Sequence, residues 1–226
     1  MPSLEFNSAE LLRVAYTASE RAVADFHSRR GALTLDSLVA AVFSASAVEA
    51  FTNDLADHVE IWSAAAGDQG FNATTPELIR AVQEMIAIEA ARQGDQVTAK
   101  VPAAGRALTG GRKRPDGREL QELSRLITIR DAILHAQAPR PTARPGLTEV
   151  MADLRRADVT VPRQGAKATV FFELASPRLA VWAYCTARRI VLMMLDLVPL
   201  DVAAVSSLRE VLRDPIRFPP AVCRGK

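Results

Sequence analysis

The chain has 226 residues, 49% hydrophobic and 5% aromatic, with 28 Lys and Arg against 26 Asp and Glu. That length and apolar share fit one domain with a sizeable core, read as a single helical domain over residues 1–226. Two cysteines, Cys185 and Cys223, exclude a disulfide framework and fit a reducing compartment.

With aromatics scarce, Ala, Leu, Val and Ile must fill the core, a balance that favours helix over sheet. A first helix is expected from Asn7 or Ser8, where Asn7 and Glu10 resemble a capping box, to about Arg30. A long second helix should run from about Leu35 to Ala66, on a stripe that includes Leu38, Val42, Ala45, Val48 and Leu55. Thr75-Pro76-Glu77 opens a third, ending near Gly94. Residues 95–117, with several glycines and five basic residues from Arg106 to Arg118, read as loop. A helix over about 118–136 follows, stopped by Pro139 and Pro141. A proline-rich linker leads to a short helix over about 147–157. Residues 159–161 and 168–172 read as the arms of a small β-hairpin within an irregular insert. Ser176-Pro177 opens a strong helix to about Val198, and a short helix near 202–213 closes the chain. The expected class is all-α, an up-and-down helical bundle with that small insert.

Charge is distributed unevenly. Residues 1–99 carry 6 basic and 14 acidic side chains, a net of −8, whereas residues 100–170 carry 14 and 7, a net of +7. The middle of the chain is therefore where an anionic partner would dock, and Arg112, Lys113 and Arg114 are its densest basic cluster. As an RNA contact that cluster would make binding fall steeply with salt; its plainer reading is a solvated loop.

One segment carries chemistry. Arg130, Asp131 and His135 fall in the last turns of one predicted helix. Arginine is a permanently charged fork that grips phosphate, and histidine exchanges its proton near neutral pH. At roughly 100° per residue, Arg130 and His135 lie about 140° apart and do not share a face. Asp131 and His135 are four apart and do, so the acid can orient the imidazole.

The stretch from Leu126 to His135 resembles the signature of HEPN domains, an arginine, a polar residue (most often asparagine) and a histidine a few positions beyond. Ser44 to Asn53, an alanine-rich run ending in Glu49 and Asn53, is similar to the long second helix of bacterial HEPN-like proteins. The resemblance implies a helical bundle that forms a homodimer, with the motif copies lining a cleft at the interface. It also implies metal-independent cleavage of RNA, in a toxin–antitoxin or antiphage defence setting with an antitoxin protein as a further partner. Arg130 would then neutralise the scissile phosphate and His135 would move a proton. Asp131 would keep the hydrogen-bonding role of the usual asparagine while adding negative charge. Glu49 and Asn53, four apart on one helix face, would support the motif helix; alternatively they are a buried polar pair satisfied by neighbouring backbone or by Arg130. Some family members are non-catalytic modules that bind nucleotide, RNA or protein, which is the alternative function.

No cofactor is expected. His27 and His58 have no Cys or His at ligand spacing, so a metal site is not expected either. Gly105 to Gly110 lacks the Lys-Ser/Thr of a phosphate-binding loop. The N-terminal dozen residues lack a basic start and an apolar core, and the apolar run 179–200 is broken by Arg188, Arg189 and Asp196. Neither a secretory leader nor a membrane span is expected there, which points to the cytoplasm.

Overall fold

The computed structural model of the chain describes residues 6–28, 34–69, 76–91, 96–109, 111, 117–135, 146–160, 170–197, 208–209 and 212. They form helices α1 (Asn7–Ser28), α2 (Asp36–Gln69), α3 (Pro76–Ala91), α4 (Gln96–Leu108), α5 (Gly117–Leu134), α6 (Leu147–Arg156), α7 (Val170–Leu174) and α8 (Pro177–Leu197). No strand occurs among the described residues, so the protein is an all-α helical bundle. Leu208, Arg209 and Leu212 are helical, inside the expected closing helix.

Local chemistry sets several of these boundaries. Pro177 occupies the first turn of α8, and the Ser176 hydroxyl accepts the Arg178 N–H at 3.3 Å. The Thr34 hydroxyl accepts the Asp36 N–H at 3.2 Å, fixing the start of α2. Helix α6 ends in a Schellman turn. The Val159 N–H reaches back to the Leu154 carbonyl at 2.8 Å, the Asp158 N–H to that of Arg155 at 3.0 Å, and Asp158 is left-handed with φ 57°.

Two expectations are corrected. Within the supposed loop 95–117, residues 96–108 are helix α4, with Pro102 inside it. Proline removes one hydrogen bond, to the Thr98 carbonyl, but leaves the apolar spacing intact. Val97, Val101, Ala104 and Leu108 are buried along one face, and α4 packs on α3. The hairpin does not form at the two ends that are described. Val159 and Thr160 complete the turn that closes α6, and residues 170–174 are helix α7. Residues 161–169 lie outside the described residues, as does the proline-rich linker 136–145.

The chain divides into two compact units, and α1, α2, α5 and α8 each contribute residues to both. The first comprises 1–10, 47–121 and 188–214. Its core includes Phe51, which is fully buried and stacks on Phe6 at 6.2 Å between ring centroids. Buried Asp54 of α2 caps α1: one carboxylate oxygen accepts the Ser8 N–H at 2.9 Å, the other the Asn7 amide at 3.0 Å. A carboxylate at a helix N-terminus also meets the positive end of the helix dipole.

The second unit comprises 11–46, 122–187 and 215–226. Ala18 and Ala22 of α1, Ala40 of α2 and Ala180 of α8 form a buried alanine cluster. Side chains this small let helix backbones approach closely, and the Ser19 hydroxyl accordingly donates across to the Ala180 carbonyl at 3.1 Å. Tyr16 and Tyr184 meet at 5.6 Å between ring centroids. Ion pairs Arg125–Asp153, Arg155–Glu173 and Arg178–Asp158 tie α6 and its terminal turn to α5, α7 and α8.

Among the described residues one helical stretch, Asp36–Asp57 of α2, is long and apolar enough to cross a membrane by length and composition. More than half of its most apolar window is buried inside the protein, the pattern of a core helix.

Candidate functional site

Helix α5 buries Leu123, Leu126, Ile127 and Ile129, together with Glu122. Arg130 lies four residues after Leu126 and three after Ile127, so its stem emerges within that buried arc. Its side chain is accordingly only 16% exposed, against 38% for Asp131. His135 falls on the opposite arc, with exposed Ser124 and half-buried Thr128, and it is itself exposed. It stands just beyond the last helical residue, Leu134, and its N–H still bonds the Asp131 carbonyl at 3.1 Å. The apolar Leu134 beside it is also exposed.

The Asp131 carboxylate is not on the imidazole. One oxygen, Oδ1, accepts from Nε of Arg130 at 3.0 Å and lies 3.0 Å from its Nη2. The three motif residues are therefore brought together as an arginine–aspartate pair with an exposed histidine one turn further on. The orienting contact expected between Asp131 and His135 is replaced by this charge pair. Its physical reason is that a guanidinium is a permanent cation with several N–H donors, and a carboxylate accepts from it strongly.

Glu49 and Asn53 belong to the first unit, and the motif belongs to the second. Asn53 is exposed, and its Oδ1 accepts from Lys100 Nζ of α4 at 3.2 Å. Glu49 is half-buried, and its carbonyl accepts the Thr52 hydroxyl at 2.8 Å. Arg112, Lys113 and Arg114 lie outside the described residues, as do the side chains of His27, His58 and Trp62. Cys185 is half-buried and is not in a disulfide. Among the described residues no group of three or more His, Cys, Asp or Glu side chains is arranged to hold a metal ion.

Among the described residues, three buried charged side chains lie outside the site expected from the sequence. Asp54 caps α1, Lys100 bonds Asn53, and Glu122 accepts the Thr186 hydroxyl at 3.4 Å. Lys100 was legible in principle, since Val97, Val101 and Ala104 keep helical spacing around it. The partners of Asp54 and Glu122 are 46 and 64 residues away, and no local pattern encodes such a distance.

Comparison with known proteins gives no match of any kind: no protein-family model, no curated protein and no solved structure resembles the chain significantly.

Proposed function

We propose that the chain is a HEPN-like, metal-independent ribonuclease that acts in the cytoplasm as a homodimer, with Arg130 and His135 handling the scissile phosphate. The observation that carries this reading is the exposed His135, one helical turn beyond the Arg130–Asp131 pair at the end of α5. In the reaction the 2′-hydroxyl of RNA attacks the adjacent phosphorus as the bond to the 5′-oxygen breaks, leaving a cyclic phosphate and a 5′-hydroxyl. Arg130 neutralises the phosphate. His135 accepts the 2′ proton or delivers one to the leaving oxygen. The two side chains leave one helix about 140° apart. A second copy across a two-fold axis brings the arginine of one protomer toward the histidine of the other. A toxin–antitoxin or antiphage role, with an antitoxin protein as partner, belongs to the same proposal.

Replacing Arg130 or His135 with alanine is expected to reduce cleavage of single-stranded RNA by about 100-fold or more, with the helical circular dichroism unchanged. Full ribonuclease activity in both variants would remove the proposal. A second reading, a non-catalytic module that binds nucleotide, RNA or protein, is favoured by one observation: the guanidinium is already neutralised by Asp131. RNA that is bound by the pure protein but never shortened selects it.

A further inference from the structure

The Arg130–Asp131 contact differs from three other arginine pairs of the protein. Arg125, Arg155 and Arg178 each reach an acid on a different element, so those pairs hold helices and turns together. The Arg130–Asp131 pair joins chain neighbours, both within α5. Adjacent residues on a helix do not face each other. The guanidinium must bend out of the buried arc to meet Asp131, and the contact takes up Nε and Nη2, one of the edges with which an arginine grips a phosphate in two-point fashion. The acid is also the more exposed partner, at 38% against 16%, so an anion arriving from solvent meets the carboxylate first.

We infer that Asp131 is a built-in competitor for the phosphate, holding Arg130 in a self-neutralised state that an RNA phosphodiester must displace. The inference rests on the ribonuclease or RNA-binding reading above and supplies its regulation. The site discriminates against isolated, weakly held anions, because a ligand must outcompete a tethered carboxylate. A polyanion anchored at several phosphates does so, whereas a single phosphate does not.

The test measures binding of a short labelled single-stranded RNA at fixed salt by the full chain and by Asp131→Asn, Arg130→Ala and the double variant. Mass spectrometry meanwhile follows how fast phenylglyoxal modifies Arg130 where it is present. Asp131→Asn is expected to bind RNA about fivefold more tightly or better, the effect of removing one negative charge a few ångströms from a phosphate. The gain should vanish in the Arg130→Ala background, and Arg130 should be modified faster in Asp131→Asn without RNA. Equal affinity of the natural chain and Asp131→Asn, with RNA bound by both, overturns the inference and leaves the RNA reading standing. So does a gain that persists without Arg130, since it is then a general charge effect. RNA bound by no variant removes the RNA reading and this inference with it, even if Arg130 becomes more reactive.

Discussion

Asp54 accepts a backbone N–H that lies 46 residues before it in the chain, and it is buried while doing so. The first turn of every helix leaves N–H groups without intrahelical partners, and a carboxylate there is both acceptor and dipole complement. The Asn7–Glu10 spacing gave reason to expect a cap from within α1; the Asn7 amide instead donates to Asp54, which takes the Ser8 N–H as well. Asp54→Ala is expected to lower stability by about 2 kcal/mol, the loss of a cap plus a buried donor left unpaired. The urea midpoint measures this, and hydrogen exchange at Ser8 should accelerate. An unchanged midpoint with unchanged exchange would mean that another group caps the helix. Contrast Arg130 and Asp131, where the pair is partly exposed and worth little to stability. On the RNA reading, substitutions there should act on anion binding far more than on folding.

Helix α6 shows how an element is ended. Its terminal turn places Asp158 at φ 57°, a conformation that disfavours a side chain with a Cβ, and puts a negative charge at the negative end of the helix. The opposing contribution is an ion pair with Arg178 whose side chains are 75% and 48% exposed, so it is weak. Asp158→Gly should therefore raise stability by about 0.5 kcal/mol, and Asp158→Val should lower it by at least ~1 kcal/mol, both read from denaturant midpoints. A destabilised Asp158→Gly would show that the Arg178 pair outweighs the backbone strain. Helix α4 makes the complementary point. Pro102 removes one hydrogen bond, yet Val97, Val101, Ala104 and Leu108 bury a continuous face, and packing on α3 outweighs the missing bond.

Across the whole molecule the formal charge is +2, but residues 1–99 carry −8 and residues 100–170 carry +7. On the RNA reading, the second of these segments supplies the phosphate contacts, Arg112, Lys113 and Arg114 among them. Binding should then weaken linearly as salt rises on logarithmic axes. Replacing those three with alanine should reduce the slope by about 2, as three lost contacts to a single strand require. An unaltered slope would mean that this cluster stays in solvent when RNA is bound. The two compact units each have their own buried core, Phe51 and its neighbours in one and the alanine cluster in the other.

Periodicity and capping residues were enough to determine that the chain is helical and where most helices lie. Ser176-Pro177 and Pro76 mark starts that agree with α8 and α3, because an N-terminal proline, and at α8 the Ser176 hydroxyl, act within one turn. The arginine, acid and histidine at the end of α5 were equally visible, since they are covalent near neighbours. What only the tertiary structure decided was partnership. Asp54 caps α1, Lys100 meets Asn53, Glu122 meets Thr186, and Asp131 lies on Arg130 instead of on His135. Helical spacing says which positions share a face, but a charged side chain takes the strongest partner that packing brings within about 3 Å, and that choice is written in no local pattern.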